Sequence, residues 1–122
     1  MVFEDTVLVG SLDHKVYAFS LSTGAKKWDF LAEDAIRSDP AVDADSMPLV
    51  VADKKGRVYF LNVDTGLPRW EAKQLEGGGI LAPITIGNGV AYIPTINNTL
   101  YALEVKSRKL LWNKPIAAGC KG

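Results

Sequence analysis

The sequence contains very few of the residues that build disulfides and soft metal sites. It has one cysteine, Cys120, and one histidine, His14, so it can form neither an internal disulfide nor a cluster of thiolate and imidazole ligands. Lys plus Arg and Asp plus Glu each number 14, so there is no excess positive charge of the kind that binds nucleic acid or anionic membranes. We therefore expect no nucleic-acid partner.

Long apolar runs and a basic N-terminus are also missing. No apolar run approaches the roughly 18 residues that a membrane-spanning helix needs, so we expect no membrane span. The opening stretch, MVFEDTVLVG, carries acidic residues where a signal peptide carries basic ones. We therefore expect no export signal within this sequence.

The tryptophans, in contrast, are regularly spaced. Trp28, Trp70 and Trp112 are separated by 42 residues in each case. The same shift of 42 residues aligns further positions, among them Tyr17, Tyr59 and Tyr101, and Thr23, Thr65 and Ser107. A fixed period of this length is the signature of a repeat array. The spacing predicts one region spanning 1–122, with copies at about residues 5–30, 39–73 and 82–114.

Each copy divides into short strand-like runs. The runs of the second copy are PAVDA (40–44), PLVVAD (48–53), RVYFLNV (57–63) and PRWEAK (68–73). Short β-branched and aromatic runs between turn residues are typical of an all-β sandwich, barrel or propeller. The most helix-like stretch, LAEDAIRS at 31–38, is predicted to be a loop. We expect about eleven strands, with only three in the first copy because just MVFED precedes its second strand.

Turn residues recur at the same two places in every copy. The pairs that follow the second strands are Asp13–His14, Lys55–Gly56 and Asn97–Asn98. Such pairs tolerate the positive φ of tight hairpins. After the third strands, Gly24 and Gly66 can supply a left-handed residue, whereas Arg108 stands at that place in the third copy. We expect the third turn either to change shape or to carry mild strain.

A lone four-stranded sheet of about 42 residues cannot bury both of its faces, whereas a radial stack of such sheets can. We therefore predict about three four-stranded β-propeller blades that form an incomplete propeller. A tryptophan on the last strand of a blade can lie against the neighbouring sheet. We assign a structural docking role to Trp28, Trp70, Trp112, Gly24 and Gly66. Trp70 is expected to be the most buried tryptophan because its blade has a neighbour on either side.

Two stretches, VLVGSLDHKVYAFSLSTGAKKW and PLVVADKKGRVYFLNVDTGLPRW, resemble the repeat of pyrroloquinoline-quinone-like (PQQ-like) propellers, also called quinoprotein or tryptophan-docking repeats. The third copy, TLYALEVKSRKLLW, keeps the Leu-Tyr-Ala-Leu and the tryptophan but lacks the Thr-Gly. The resemblance covers residues 6–114. It implies a propeller that commonly has eight blades, of which this chain would be a part, and a periplasmic or other extracytoplasmic location.

Other chemically suggestive residues have simpler interpretations. His14 lies in a hairpin turn and has no second histidine or cysteine as a partner. Asp39, Asp43 and Asp45 lack the further oxygen ligands and closing Glu of a calcium loop. The glycines at 77–79 lack the Lys-Ser/Thr and the helix of a phosphate loop. We predict no catalytic and no metal-binding residues, and we favour a protein that is not an enzyme.

The resemblance leaves three functions open. We favour a non-catalytic protein- or ligand-binding scaffold, as in propellers of outer-membrane barrel assembly or of bacterial sensor kinases. The alternative is a fragment of a PQQ-dependent dehydrogenase, and a luminal stress-sensor domain is a third possibility. Dehydrogenases of this family bind PQQ and calcium, and many have a vicinal cysteine pair that this sequence lacks. We expect no cofactor in this chain unless the dehydrogenase alternative holds.

Two kinds of contact surface follow from the predicted fold. The loop 33–39 would face the mouth of the propeller channel, where Arg37, Ser38 and Asp39 are the candidates for binding a ligand. The first and last blades would each expose an apolar face, and such faces mark interaction sites. We therefore expect a protein or peptide partner and self-association, most simply a symmetric dimer with about six blades.

Overall fold

The computed structural model describes residues 2–36, 40–42, 48–76, 79 and 84–115, and these residues form only strands, turns and loops. Twelve strands make three four-stranded antiparallel sheets, which we call blades one to three. Blade one contains β1 (Val2–Phe3), β2 (Thr6–Gly10), β3 (Lys15–Ser20) and β4 (Lys26–Leu31). Blade two contains β5 (Ala41–Val42), β6 (Pro48–Ala52), β7 (Arg57–Asn62) and β8 (Pro68–Gln74). Blade three contains β9 (Thr85–Gly87), β10 (Val90–Pro94), β11 (Thr99–Glu104) and β12 (Lys109–Pro115).

The order of strands within each sheet follows the sequence, so each blade is a simple up-and-down meander. The predicted incomplete propeller of about three four-stranded blades is therefore confirmed. No helix long and apolar enough to cross a membrane occurs among the residues that the structure describes. The described part of 31–38, up to Ile36, is not helical, as predicted, and 37–38 lie outside the described residues.

Blade one has four strands, so the expectation of three strands in the first copy is wrong. Glu4 has a φ of 53° and reverses the chain. Val2 and Phe3 therefore fold back and pair with Val7 and Thr6, respectively. A two-residue strand is too short to show an alternating pattern, so only the turn could have indicated it. The chain accordingly has twelve strands in its described part rather than about eleven.

The predicted turn residues have the backbone conformations that tight hairpins need. His14, Gly56 and Asn98 all have positive φ in the turns between second and third strands. Gly24 and Gly66 have φ of 77° and 75° in the next turns, and Arg108 has φ of 58° at the equivalent place. The third turn thus keeps its shape and accepts a left-handed non-glycine residue, which costs about 1–2 kcal/mol.

A β-bulge recurs at one place in all three blades, where the third strand pairs with the fourth. The irregularities lie between Ala18 and Phe19, between Phe60 and Leu61, and between Ala102 and Leu103. Just before each bulge the tryptophan of the last strand lies opposite the same position, in the pairs Ala18–Trp28, Phe60–Trp70 and Ala102–Trp112. The three tryptophans therefore occupy equivalent places on the last strands, as the 42-residue period predicts.

The hydrophobic core lies between the blades, in two layers. We call the face that a blade turns toward the next blade its forward face, and the opposite one its rear face. The first layer joins the forward face of blade one, with Leu8, Val16, Ala18 and Trp28, to the rear face of blade two, with Leu49, Val51, Tyr59 and Leu61. The second joins the forward face of blade two, with Val50, Val58, Phe60 and Trp70, to the rear face of blade three, with Ala91, Ile93, Tyr101 and Leu103.

Strand β6 of blade two is apolar throughout and does not alternate between apolar and polar residues. Leu49 and Val51 belong to the first layer, whereas Val50 and Ala52 belong to the second. All five residues of the strand are buried because both of its faces are covered. Continuous apolar runs of this kind are expected wherever a sheet is covered on both sides.

Candidate functional site

Trp28 reaches from blade one onto blade two. Its side chain is only 7% exposed, and its indole Nε1 donates a hydrogen bond of 3.0 Å to the carbonyl oxygen of Val63. The ring rests on the backbone of Gly66, where an added Cβ would lie 2.5 Å from Trp28 Cδ2. Gly66 is therefore needed twice, for its positive φ and for the close approach of the ring.

Trp70 has the equivalent place in blade two but different contacts. The residue that corresponds to Gly66 in blade three is Arg108, whose guanidinium carbon lies 4.8 Å from the centre of the Trp70 ring. The guanidinium carbon of Arg69 lies 5.1 Å from the same ring. Cations at these distances attract the electron-rich ring face. Trp70 thus contacts arginine side chains where Trp28 contacts a glycine backbone.

The expectation that Trp70 is the most buried tryptophan is wrong. Trp28 is buried, whereas Trp70 is only half-buried although its blade has a neighbour on either side. The reason is local: a glycine lets the ring approach the next blade, and Arg108 occupies that place with its own side chain. Trp28 and Trp70 both have a following blade, so the identity of one turn residue accounts for the difference in their burial.

Trp112 and Gly24 are the counterparts of Trp28 and Gly66 at the two ends of the array. Trp112 is 38% exposed and its ring is tilted against Tyr92, with 6.1 Å between the ring centres. A Cβ added to Gly24 would meet no atom within 4 Å. Among the described residues, nothing packs over the forward face of blade three or the rear face of blade one.

A cleft of about 300 Å³ lies between β4 of blade one and β8 of blade two. Most of its lining is apolar, namely Phe30, Leu31, Tyr59, Phe60, Leu61, Pro68, Trp70 and Ala72. The rings pack edge to face, with Phe30 against Tyr59 at 5.2 Å and Phe60 against Trp70 at 5.8 Å. Leu31 is 64% exposed, so an apolar side chain stands at the wall of the cleft in contact with solvent.

Charged groups also line this cleft. Glu33 Oε2 lies 3.5 Å from Arg57 Nε, and Glu71 is part of the same lining. Arg57 Nε is buried and has no hydrogen-bond acceptor among the residues that the structure describes. A buried donor without a partner is costly, and it marks a place where an added acceptor would be favourable.

Tyr59 connects the cleft to the hairpin of blade two. Its hydroxyl donates a 2.8 Å hydrogen bond to Asp53 Oδ2 and accepts one of 2.9 Å from the backbone N–H of Glu33. Asp53 Oδ1 in turn accepts the N–H groups of Lys55 and Arg57. Burial raises the pKa of Tyr59 to about 12, and the bond to Asp53 adds to the rise. This network ties the β6–β7 hairpin of blade two to the end of blade one.

A second cleft, of about 290 Å³, lies at the equivalent place between blades two and three. Its lining is Lys73, Gln74, Leu75, Glu76, Tyr101, Leu110 and Asn113. A shift of 42 residues relates Lys73 to Leu31 and Asn113 to Glu71. The two clefts therefore have equivalent positions in the fold but different chemistry. At the position where the first cleft has the aliphatic Leu31, the second has Lys73.

The structure does not describe several of the residues singled out in the sequence. The proposed channel-mouth residues Arg37, Ser38 and Asp39 lie outside the described residues, as do Asp43, Asp45, residues 77–78 and Cys120. His14 lies in its predicted hairpin turn, with Nε2 3.9 Å from Asp34 Oδ1. In the described part of the chain, no three His, Cys, Asp or Glu side chains come together as a metal site.

The clefts could not have been found from the sequence alone. Their walls come from residues about 30–40 positions apart, such as Leu31 and Trp70, and no motif relates them. The 42-residue alignment does contain one signal, because Leu31 and Lys73 differ strongly in polarity at equivalent positions. A difference of this kind between copies indicates that one copy has a surface that the other lacks.

Comparison with known proteins gives the family. The family described as outer membrane protein assembly factor BamB matches residues 1–122. The chain belongs to this family. It is 28% identical over 123 residues to the outer membrane protein assembly factor BamB of Francisella salina, with 93% of this chain and 23% of that protein covered. The resemblance to PQQ-like repeats is thereby confirmed, and the chain spans about a quarter of this relative.

Solved structures agree on the fold. The crystal structure of BamB from Moraxella catarrhalis matches with a TM-score of 0.80 and 23% identity, covering 93% of this chain and 33% of that one. The WD40 repeats of RRP9 match with a TM-score of 0.79 and 9% identity, covering 89% and 34%, respectively. At these identities the likeness shows the propeller fold and nothing further. Neither this family nor its named relatives support the dehydrogenase alternative.

Trp28→Ala should destabilise the chain far more than Trp112→Ala. The first change empties a buried site and removes an indole hydrogen bond, which costs about 3–5 kcal/mol. The second removes a ring that is already exposed to solvent in one chain. Urea unfolding of dilute protein measures both free energies. Equal costs for the two substitutions would show that the Trp28 contact with blade two contributes little.

Gly66→Ala and Gly24→Ala form a matched pair that isolates the contact with the tryptophan ring. Both place alanine at nearly the same positive φ, at a cost of about 1–2 kcal/mol. Only Gly66→Ala also drives a Cβ into the Trp28 ring, which should add about 1–3 kcal/mol, the usual cost of overpacking. Unfolding free energies of dilute protein measure the difference. A difference near zero would mean that the ring moves aside without cost.

Stability should fall between about pH 10 and pH 12 in a way that Tyr59→Phe reduces. Tyrosine ordinarily titrates near pH 10, and Tyr59 has a pKa of about 12 in the fold. The unfolded chain therefore loses this proton first, so the free energy of unfolding decreases as pH rises through this window. Lysines titrate in both proteins, so the difference between the two pH profiles isolates Tyr59. Parallel profiles would contradict the assignment.

Proposed function

We propose that this chain is a non-catalytic scaffold and that the cleft between blades one and two binds an extended segment of a protein partner. The observation that carries the proposal is the composition of this cleft. It combines exposed Leu31 and the rings of Phe30 and Tyr59 with the charged pair Glu33 and Arg57. Apolar clefts with a few polar groups are the usual form of a binding site.

The side chains of the cleft select the chemistry of the partner. An apolar side chain of the partner would lie against Leu31 and Phe30. The carboxylate of Glu33 can accept a backbone N–H and the guanidinium of Arg57 can donate to a backbone carbonyl, which together suits an extended main chain. Glu33, Glu71 and Arg57 leave one net negative charge in the lining, so a neutral or basic segment is favoured over an acidic one.

The relatives support a protein-binding role of this kind. The BamB protein of Francisella salina is named as an outer membrane protein assembly factor, a role that requires contact with other proteins. By analogy we place this chain outside the cytoplasm, in the periplasm, as one region of a larger propeller that works without PQQ or calcium. The described open faces of blades one and three further support self-association of the isolated chain.

Calorimetric titration of a short peptide that alternates leucine with uncharged polar residues, with blocked ends, tests the cleft. Leu31→Lys installs the residue that stands at the equivalent place in the second cleft. It should weaken peptide binding about tenfold or more, because burying a leucine contributes about 1.5–3 kcal/mol. The measurement is the change in Kd relative to the unmodified chain.

Lys73→Leu is the matched control, since it changes the equivalent position of the second cleft. It should leave the Kd at the first cleft unchanged. Thermal unfolding of both variants checks that the fold is intact. Absence of peptide binding to the unmodified chain, or an equal loss in both variants, would contradict the proposed site.

A further inference from the structure

We propose that a basic cluster at the boundary between blades two and three binds an acidic segment of a partner protein. The basic cluster consists of Arg69, Lys106, Arg108 and Lys109, and its two arginines contact the half-buried ring of Trp70. Arg69 belongs to β8 of blade two, and the other three residues belong to the β11–β12 turn and the start of β12 in blade three. The site is distinct from the cleft between blades one and two, which favours a neutral or basic segment.

Two arginines from different blades converge on one aromatic ring. The guanidinium carbons of Arg108 and Arg69 lie 4.8 Å and 5.1 Å, respectively, from the centre of the Trp70 ring. Arg108 is further held by a 3.0 Å hydrogen bond from Nη1 to the carbonyl oxygen of Lys106. This bond uses one of the five N–H donors of the guanidinium group, and the planar fork can hold a carboxylate through two others.

The placement of the two guanidinium groups favours an anionic ligand. Both contact the same ring, so they cannot lie farther apart than the sum of their distances from it. Like charges at such a separation repel each other. A carboxylate that accepts hydrogen bonds from both would replace repulsion with attraction. Because the ring already orients the guanidinium groups, little side-chain freedom would be lost on binding.

The β11–β12 turn differs in charge from its counterparts in the other two copies. Three cationic residues stand there, namely Lys106, Arg108 and Lys109. The residues 42 and 84 positions earlier include no cation, and they are Asp64, Gly66 and Leu67 in blade two and Ser22, Gly24 and Ala25 in blade one. The fold does not require these positive charges, since the equivalent turns of blades one and two form without them.

Arg108 also has a strained backbone. Its φ of 58° lies in the left-handed region, where both of its counterparts are glycine. A side chain in that region is unfavourable, and residues of this kind persist mainly where they serve a function. Arg108 moreover occupies the place where a glycine would let Trp70 approach the turn, as Gly66 does for Trp28. A binding role for Arg108 accounts for both the strain and the half-buried tryptophan.

Acidic side chains close to the basic cluster favour a protein segment over an anionic membrane. Glu104 lies opposite Lys109 in the strand register and accepts a 2.6 Å hydrogen bond from Ser107 Oγ. Glu71 stands two residues after Arg69 on the same strand. A continuous anionic surface would meet these carboxylates as well as the cations. An extended segment can instead place single carboxylates on the arginines.

Calorimetric titration of a blocked peptide that alternates glutamate with serine tests the basic cluster. The same peptide with glutamine in place of glutamate is the reference. The glutamate peptide should bind about tenfold more tightly or better, because hydrogen bonds between charged groups are the strong ones. Its affinity should fall as the salt concentration rises, since the cations lie at the surface.

Arg108→Gly installs the residue of the other two copies and removes one cation. It should weaken binding of the glutamate peptide about tenfold. The fold should stay intact because glycine suits a left-handed φ, and thermal unfolding checks this. Arg69→Gln should weaken binding in the same way. Arg108→Lys keeps the charge but loses the planar fork, so its affinity should be intermediate.

Lys55→Gln is the matched control, because it also removes one positive charge. Lys55 is exposed in the β6–β7 turn, at the other end of the strands from the β11–β12 turn. Its substitution should leave the Kd of the glutamate peptide unchanged. The leucine peptide that tests the first cleft carries no charge, so the two titrations report on the two sites separately.

Four results would overturn the proposal. Equal behaviour of the glutamate and glutamine peptides, including no binding of either, rules out a carboxylate site. Unchanged binding to Arg108→Gly places the peptide elsewhere on the chain. An equal loss in Arg108→Gly and Lys55→Gln indicates a general effect of charge. Binding to phosphatidylglycerol vesicles that Arg108→Gly abolishes, without binding of the glutamate peptide, indicates a membrane surface as the partner.

Discussion

Each blade of this protein is stable only when another sheet covers its apolar faces, and the rest of the structure follows from that constraint. The four-stranded sheets are too thin to contain a core, so the core lies between them in two layers. Strand β6 is buried on both sides because it contributes alternate residues to both layers. The repeat is thus a unit of sequence, whereas the unit of stability is the contact between two consecutive repeats.

Small differences between copies change the chemistry of otherwise equivalent places. Gly66 lets Trp28 lie flat on the next blade, whereas Arg108 holds Trp70 in a cation–π contact. Leu31 and Lys73 make one cleft apolar and its counterpart polar. A repeat protein can acquire a binding surface in this way without altering its backbone, because exposed positions such as that of Leu31 and Lys73 are not part of the core.

The proposal that this chain binds other proteins rests on its family relationship and on the geometry of its surfaces. Its surfaces of interest lie at the boundaries between blades, where residues distant in sequence meet. The first cleft and the two open faces are separate surfaces, so one partner segment and further blades can be bound at the same time. The scaffold holds these surfaces in fixed relative positions because the core layers connect them.

The sequence by itself determined the period, the strands of the complete copies, the hairpin turns and the family, since these depend on local spacing and on turn residues such as Gly24. It did not reveal the strand Val2–Phe3, whose two residues are too few for a pattern. Only the tertiary structure decided which tryptophan is buried, because that depends on a turn residue 38 positions later in the next blade. It alone also formed the clefts, since their walls belong to two blades that meet only when packing covers their faces.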